Sequence, residues 1–277
     1  MQDKNLTAII CSGGGMKSAH GAGFLHTLAT KFGITTPDIM IGSSGDAGNL
    51  AYFSSGQYEG MKRVWTQLLS TPKYISFLRP WRVVDVDYLI DTVFKKQEVL
   101  DVEKIQNSTI HWFIPMSDFD TGYTQYVNAK DKLDLFEVLR ATMAIPLAFG
   151  RKIPISGKRY IDGEFGPTLQ DHVTHALHHG AKRILLLNHT SPWNFISRSV
   201  FKGYATHIPQ GMHDALIRDI STNVFQMTAP GATVIAVAPQ NLPAWNLTRD
   251  QKRLQATFDQ GVADALSIEK ELRELFR

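Results

Sequence analysis

Serine, glycine and acidic residues in three short segments of the chain could together perform nucleophilic chemistry on a carbonyl group. Residues 12–18 read Ser-Gly-Gly-Gly-Met-Lys-Ser, and consecutive glycines leave backbone N–H groups unshielded by Cβ atoms, as an oxyanion-binding loop requires. Ser44 follows Gly42 by two positions, which is the spacing of a nucleophile elbow. A serine hydroxyl needs a base to become a good nucleophile, and Asp162 is a candidate for that base.

Each of these segments also fits an ordinary structural role. Glycines commonly end strands, and an Asp-Gly pair such as Asp162-Gly163 is a frequent turn between strands. The chemistry is therefore indicated by the three segments together and not by any one of them.

The apolar runs around the first two segments predict a βαβα unit. Residues 6–11 and 38–42 are predicted strands, and residues 21–32 and 45–56 are predicted helices. Parallel strands place their carboxyl ends on one edge of the sheet, where open α/β folds bind ligands. The glycine loop and Ser44 are therefore expected to be neighbours.

The alternation of strands and helices continues to the end of the chain, within a single domain. Predicted strands cover residues 110–115, 123–128, 159–162, 183–188 and 233–238; predicted helices cover 133–143, 170–179, 212–227 and 248–276, the last as one long helix or a broken pair. Residues 71–100 lack a clean period, and residues 190–210, which include Trp193, are predicted to be an irregular insertion. Both segments are rich in aromatic residues and are expected to form a cap or substrate-access region.

In their order and spacing the three segments resemble the patatin-like phospholipase family. That family carries a G-G-G-x-[RK] loop, a G-x-S-x-G elbow and a downstream D-G-[GA] element. This chain has Gly13-Gly14-Gly15-Met16-Lys17, then Gly42-Ser43-Ser44-Gly45-Asp46, then Asp162-Gly163-Glu164. Residues 141–146 and Asn49 are also similar to the family, and the resemblance covers residues 6–190 well.

The resemblance implies a three-layer α/β/α sandwich with a mostly parallel central sheet, and a serine lipid acyl hydrolase that needs no cofactor and no metal. It implies a catalytic dyad in which Ser44 forms an acyl-enzyme and Asp162 moves the protons. The implied oxyanion hole consists of the backbone amides of Gly13, Gly14, Gly15 and Met16, and the implied supporting residues are Lys17, Gly42 and Gly163. The implied partner is a phospholipid or related ester lipid, with peripheral membrane contact, and the oligomeric state stays open.

Two residues depart from the family pattern. Asp46 stands at the last glycine of the elbow, and Glu164 stands at the third position of the D-G-G element. Asp46 is expected to add bulk and negative charge near the nucleophile and so to blunt the reaction. An acid in the first turn of a helix is nevertheless favoured by about 0.3 to 1 kcal/mol. An elbow centred on Ser43 would require glycine at Ile41, so Ser44 is retained as the nucleophile.

Histidines offer an alternative to the dyad. His189 follows a predicted strand, so the order Ser44, Asp162, His189 also suits a triad of the α/β-hydrolase type. His175 and His179 share one helix face, but no H-E-x-x-H glutamate accompanies them, and a packing role is preferred to a metal site.

Two other functions are alternatives to a hydrolase. Nucleotide binding is disfavoured, because Met16 interrupts a Walker loop and Ser18 interrupts a dinucleotide fingerprint. A catalytically weakened, lipid-binding relative would account for Asp46 in the elbow.

Composition indicates an ordinary globular protein. The chain has 277 residues, of which 43% are hydrophobic and 20% are charged, enough for one compact domain. Its net charge of +3 is too small to predict nucleic-acid binding. The single cysteine, Cys11, excludes an internal disulfide and a cysteine-based zinc site. Without a hydrophobic signal region or a transmembrane run, the sequence predicts a cytoplasmic protein.

Overall fold

A mixed sheet forms the centre of the protein. The computed structural model describes residues 5–190, 195–222 and 227–277, and within them the sheet has eight strands. They are β1 (Leu6–Cys11), β2 (Ile39–Gly42), β3 (His111–Asp118), β4 (Thr124–Asn128), β5 (Ile153–Ile155), β6 (Lys158–Ile161), β7 (Ala181–Leu187) and β8 (Thr233–Val237). Their order is β5-β6-β3-β2-β1-β7-β8, and β4 also pairs with β3.

The larger part of the sheet is parallel. Strand β1 pairs in parallel with β2 and β7, β2 with β3, and β7 with β8. Strands β4, β5 and β6 add antiparallel pairs next to β3. Because Cys11 lies opposite Gly42 at the carboxyl ends of β1 and β2, the loops that follow these strands meet at one edge of the sheet.

Helices cover the sheet on both sides. In the described part of the chain they are α1 (Ala19–Thr30), α2 (Ser44–Ser54), α3 (Tyr58–Arg63), α4 (Val102–Asn107), α5 (Leu135–Thr142), α6 (Leu169–His178), α7 (Phe195–Ala205), α8 (Gln210–Ser221), α9 (Gln251–Ser267) and α10 (Glu269–Leu275). A 3₁₀ turn covers Gly15–Ser18, and π-helical turns cover Val64–Leu68 and Tyr88–Gln97. None of the described helices is long and apolar enough to cross a lipid bilayer.

Alternate residues of the central strands face two separate apolar cores. Ile9 and Met40 belong to a large cluster with residues of α1, α2, α5 and α9. Ile10 and Ile41 point the other way, into a smaller cluster that includes Val173 of α6. Each such fully buried side chain stabilises the fold by about 1.5 to 3 kcal/mol. The fold is therefore the α/β/α sandwich with a mostly parallel sheet that the resemblance implied.

Most predicted elements are present close to their expected bounds, and the C-terminal segment is the broken pair α9 and α10. The prediction of an irregular insertion at residues 190–210 is wrong, because residues 195–205 form the helix α7. Phe201 of α7 contacts Phe165 with ring centroids 5.3 Å apart, so tertiary packing stabilises this helix. Trp193 lies outside the described residues. Residues 71–100 lack a 3.6-residue period partly because residues 88–97 are π-helical.

Candidate active site

Ser44 lies at the start of α2, immediately beyond the end of β2. Its φ angle is +51°, a left-handed conformation that costs a non-glycine residue about 1 to 3 kcal/mol. The first turn of α2 holds this geometry, since the N–H of Ala47 donates to the carbonyl of Ser43 at 3.2 Å. The N–H of Ser44 donates to Oγ1 of Thr142 at 3.3 Å. Such a strained strand-to-helix turn exposes a hydroxyl, as a nucleophile elbow does.

Asp162 follows β6, and its carboxyl group lies beside the Ser44 hydroxyl. Its backbone N–H donates to the carbonyl of Ala144 at 3.1 Å, and its Oδ1 accepts the N–H of Glu164 at 3.0 Å. Its Oδ2 is buried and makes no hydrogen bond that meets the usual geometric criteria within the described residues. Burial raises the pKa of Asp162 to about 8, against smaller lowering by the Glu164 N–H and by the nearby Ser44 hydroxyl.

The glycine loop packs directly against the elbow. A Cβ atom on Gly13 would lie 2.6 Å from the Cβ of Ser44, and one on Gly45 would lie 3.0 Å from the carbonyl oxygen of Gly15. Gly15 has a φ angle of +57°, which glycine adopts without steric cost. The structure therefore brings the loop, Ser44 and Asp162 together.

Two of the four loop amides already have hydrogen-bond acceptors. The N–H of Gly13 donates to Oε1 of Glu164 at 2.8 Å. The N–H of Met16 donates to the carbonyl oxygen of Asn246 at 3.0 Å. These contacts anchor both ends of the loop to other parts of the chain.

Three amides of the glycine loop and the elbow have no acceptor in the described part of the chain. They belong to Gly14, Gly15 and Gly45. Gly45 directly follows Ser44, and the residue after the nucleophile supplies an oxyanion donor in hydrolases with this kind of elbow. This amide was not among the donors predicted from the sequence, although the position of Gly45 next to Ser44 was a usable signal.

The three predicted supporting residues are all close to the site. Lys17 is buried and donates from Nζ to the carbonyl of His189; desolvation lowers its pKa to about 8. A Cβ atom on Gly42 would lie 2.5 Å from a side-chain carbon of α2. One on Gly163 would lie 2.1 Å from the carbonyl oxygen of Pro115, so a larger residue there would displace the loop that carries Asp162.

Thr142 joins three parts of the site. Its Oγ1 donates to the carbonyl of Pro115 in β3 at 2.7 Å and accepts the N–H of Ser44. Its own carbonyl accepts the N–H of Gly163 at 3.2 Å. The sequence indicated this segment through its similarity to the family, but a positioning role for Thr142 requires the contacts.

Glu164, one of the two departures from the family pattern, lies with Asp162 in the loop after β6, the acid loop, and contacts both the glycine loop and the elbow. Its Oε1 accepts hydrogen bonds from the N–H of Gly13 and the hydroxyl of Ser43, and its N–H donates to Asp162. Burial raises the pKa of Glu164 to about 7, while the Gly13 and Ser43 hydrogen bonds lower it. A carboxyl group thus lies at the junction of the glycine loop, the elbow and the acid loop.

Asp46, the second departure, is fully buried and has partners other than Ser44. Its Oδ2 accepts the hydroxyl of Ser18 at 2.8 Å and lies 2.9 Å from Nδ1 of His189. Its Oδ1 accepts the side-chain amide of Asn49 at 2.7 Å. The carboxyl group of Asp46, which was expected to disturb the nucleophile, therefore points towards α1 and the end of β7.

His189 belongs to this second network and not to a triad with the nucleophile. Its Nε2 lies 3.0 Å from Nδ1 of His20, whose Nε2 lies 2.8 Å from a carboxylate oxygen of Asp264. Neither Ser44 nor Asp162 is among the hydrogen-bond partners of His189 in the described structure. Within the described residues, no group of three or more histidine, cysteine or acidic residues is arranged to hold a metal ion.

Ser44 and Asp162 open into a cavity of about 650 Å³, a size that suits an organic ligand. Part of its wall is apolar and is formed by Phe77, Val83, Ile145, Pro146, Leu147, Ala148, Trp245 and Leu247. Polar residues that line the cavity include Thr168, Gln170, His172, Asp219 and Thr222. The segment 71–100 and the helix α7 both contribute lining residues.

A curated relative is similar to part of this chain. The protein YjjU of Escherichia coli (strain K12), described as uncharacterized, is 22% identical over 184 residues. The similar stretch is 65% of this chain and 51% of that protein, so it spans about half of the relative's length.

Two solved structures are similar to the whole chain at low identity. The structure of VipD from Legionella pneumophila has a TM-score of 0.47 and 11% identity, over 95% of this chain and 67% of that one. The human GIVD cytosolic phospholipase A2, in complex with methyl gamma-linolenyl fluorophosphonate, has a TM-score of 0.37 and 13% identity, over 99% of this chain and 60% of that one. A family profile described as Patatin-like phospholipase matches residues 9–169, more than half of the sequence. This chain belongs to the patatin-like phospholipase family.

Proposed function

We propose that this protein is a serine lipid acyl hydrolase that cleaves carboxylic esters of phospholipids or related lipids. The observation that carries the proposal is the strained Ser44 beside the buried carboxyl of Asp162, both opening into one cavity. Membership of the patatin-like phospholipase family supports the same class of reaction.

In the proposed mechanism Asp162 acts as base and then as acid. The Oγ of Ser44 attacks the ester carbonyl carbon while its proton moves to Oδ2 of Asp162. The ester C–O bond then breaks, the leaving alkoxide takes that proton, and an acyl-enzyme remains. Water attacks the acyl group with Asp162 again accepting the proton, which returns to Ser44 as the acid is released.

For the oxyanion we propose the amides of Gly14, Gly15 and Gly45. Gly14 and Gly15 line the cavity with Ser44, Gly45 directly follows Ser44, and none of these three amides has an acceptor in the described part of the chain. The amides of Gly13 and Met16 are occupied and instead hold the loop in place. Loss of one donor from such a site typically costs about 2.7 to 4 kcal/mol of transition-state stabilisation.

The decisive test of this function is covalent labelling with a fluorophosphonate. We expect the wild-type protein to carry one adduct on the peptide that contains Ser44, and the Ser44→Ala variant to carry none. Ser43→Ala is the matched control, and it is expected to be labelled because Ser44 is intact. Failure of the wild-type protein to react would favour the weakened, lipid-binding relative.

For substrate access we propose that the rim of the cavity contacts a lipid surface. Leu78 and Trp81 are 91% and 74% exposed, which is unusual for large apolar side chains. Phe77 and Trp245 line the cavity and stack with ring centroids 6.4 Å apart. Described residues of both segments proposed as a cap line the cavity, among them Phe77 and Val83 of the first and Val200 and Phe201 of the second.

Exchange of Leu78 and Trp81 for serine is expected to reduce cosedimentation with phosphatidylcholine vesicles several-fold, because the exposed apolar area is lost. Turnover of a water-soluble short-chain ester should not change, since neither residue lines the cavity. Leu266→Ser on α9 is the control for loss of an exposed apolar side chain. Unaltered vesicle binding in the double variant would contradict membrane contact through this rim.

A further inference from the structure

Helix α6 begins on the wall of the cavity. Its N-cap residue, Thr168, and its first two residues, Leu169 and Gln170, all line the cavity. The N–H groups of Leu169 and Gln170 have no acceptor in the described part of the chain. The positive end of a helix dipole and its free amides favour an anionic group. The first turn of α6 therefore offers two backbone donors at the cavity.

His172, in the same part of α6, supplies a third polar group. It lines the cavity although it is only 2% exposed. Its Nδ1 lies 2.7 Å from the hydroxyl oxygen of Tyr126 in β4, and its Nε2 has no hydrogen-bond partner within the described residues. Side chains of a helix lean towards its N-terminus, so this ring lies over the first turn of α6. Nε2 is the ring nitrogen that is left for a bound group.

The contact with Tyr126 determines which ring nitrogen of His172 carries the proton. Burial raises the pKa of Tyr126, so its hydroxyl stays protonated, and Nδ1 of His172 is the acceptor that the described part of the chain offers to it. Burial lowers the pKa of His172 to about 4, so the ring is neutral at pH 7 and holds one N–H. Because Nδ1 accepts the phenol proton, that N–H is at Nε2, which can donate to a ligand.

The acidic groups near the start of α6 have partners of their own. Oδ2 of Asp171 accepts the N–H of the N-cap residue at 2.7 Å, and the guanidinium of Arg218 lies 4.0 Å from it. Glu164 interacts electrostatically with the ammonium of Lys17. Asp219, on the cavity wall, is not without a partner either. An anionic group at the start of α6 would therefore meet amide and imidazole donors, and the acids around it are not unpaired.

On the basis of the proposed hydrolase function, we propose that the first turn of α6 binds the phosphate of a phospholipid, with Nε2–H of His172 and the amides of Leu169 and Gln170 as donors. The phosphate is the anionic group that all glycerophospholipids share and that neutral acylglycerols lack. Only residues 163–167 separate Asp162 from the N-cap of α6, so a short loop joins the base to the phosphate site. Tyr126 is a positioning residue, because it acts by fixing the proton of His172.

Two short-chain lipids that differ in the phosphate-bearing headgroup test this proposal. They are dihexanoylphosphatidylcholine and 1,2-dihexanoylglycerol, assayed below their micelle concentrations. His172→Leu is expected to lower the ratio of kcat/KM for the phospholipid to that for the diacylglycerol by about tenfold or more, because a hydrogen bond to a charged group is lost. His178→Leu, at an exposed histidine of the same helix, is the control and should keep the ratio. A ratio that is unaltered in His172→Leu would overturn the proposal.

The Tyr126→Phe variant tests the proton on Nε2 separately from the presence of the imidazole. It keeps the ring that stacks on His175 at 3.9 Å between centroids, and it removes the donor to Nδ1 of His172. The same kcat/KM ratio is expected to fall by about fivefold or more. Nitrogen NMR of the imidazole should show the Nε2–H form in the wild-type protein and less of it in the variant. Tyr123→Phe, at an exposed tyrosine, is the control. A wild-type ring that carries its proton on Nδ1 would contradict the assigned donor.

A binding measurement separates this proposal from the proposed function. The Ser44→Ala variant is titrated by calorimetry with octylphosphocholine and with octyl glucoside, because neither binding event requires turnover. Addition of His172→Leu is expected to weaken binding of octylphosphocholine, relative to the glucoside, by about tenfold or more, even if the wild-type protein hydrolyses no ester. An unaltered relative affinity would overturn the proposal even if hydrolysis is observed.

Inorganic phosphate distinguishes a lipid headgroup from a free phosphate as the ligand of this site. It is expected to bind the Ser44→Ala variant at least about tenfold more weakly than octylphosphocholine does, because it makes no contact with the apolar wall of the cavity. Equal or tighter binding of inorganic phosphate would overturn the assignment of the first turn of α6 to a phospholipid.

Discussion

Replacement of Ser44 by alanine, or of Asp162 by asparagine, is expected to reduce hydrolysis of p-nitrophenyl butyrate by about a thousandfold or more. The first change removes the attacking oxygen, and the second leaves a side chain that cannot accept its proton. Because the two groups act as a unit, the double variant should be no slower than either single variant. Initial rates on purified proteins measure the effect, and substantial turnover in either single variant would rule out the dyad.

The pH dependence of kcat/KM tests whether Asp162 is the base. Since burial raises the pKa of Asp162 to about 8, the carboxylate needed for catalysis forms only as the pH rises. The kcat/KM of the wild-type enzyme is therefore expected to climb between about pH 7 and pH 9 and then level off. A flat profile across this range would indicate that Asp162 is not the group that accepts the proton.

The free energy of unfolding should change with pH in the opposite direction to kcat/KM. A buried acid whose pKa is raised on folding binds its proton more tightly in the native state, so the free energy of unfolding falls as the pH rises from about 4 to about 8. Asp162→Asn removes the contribution of Asp162, while Glu164, whose pKa burial raises to about 7, keeps its own contribution in both proteins. The thermal midpoint of the variant should therefore match that of the wild-type protein near pH 4 and exceed it increasingly towards pH 8, which also shows that lost activity is not lost folding.

The parts of the site that the sequence revealed are those with local signals. The apolar run before Gly13 and the run before Gly42 predicted two parallel strands, and parallel pairing alone brings their carboxyl ends together. The Asp162-Gly163 pair marked the third loop because its glycine is required by contact with β3. These features depend on short stretches of chain and on the general geometry of a parallel sheet.

The parts that the sequence did not reveal depend on partners far away in the chain. Asp46 looked like a disturbance to the nucleophile, but its partner His189 lies 143 residues downstream. Glu164 looked like a lost glycine, but it joins Gly13, 151 residues upstream. Helix α7 was missed although Phe201, Tyr204 and Ala205 recur at helical spacing; that these residues pack on α8 and the acid loop becomes visible only in the structure.

The network around Asp46 connects two acids through two histidines. Nδ1 of His189 lies 2.9 Å from an oxygen of Asp46, and its Nε2 lies 3.0 Å from Nδ1 of His20. Nε2 of His20 lies 2.8 Å from an oxygen of Asp264, and burial lowers the pKa of His20 to about 4. The side chains of Asp46 and His189 are both fully buried, so they are each other's hydrogen-bond partners beneath the glycine loop.

Replacement of Asp46 by glycine, the residue that the family pattern favours, is consequently expected to destabilise the protein by about 3 kcal/mol or more, because it leaves buried polar groups of Ser18, Asn49 and His189 without this partner. Asp46→Asn keeps an acceptor oxygen but loses the charge, so its loss should be intermediate. Urea denaturation measures both. Glu103→Gly, at an exposed acid in the first turn of α4, is the matched control and should cost about 1 kcal/mol.

Turnover gives the second readout of the same exchange. The oxygens of Asp46 are held by Ser18, Asn49 and His189, so their removal is not expected to raise the rate at Ser44 at temperatures where the variant is folded. An Asp46→Gly protein that is as stable as the wild type and faster would instead show that the acid blunts the elbow. Loss of stability without a gain in rate would mean that this chain has replaced a close helix contact at the elbow with a buried hydrogen-bond network that supports the same loop.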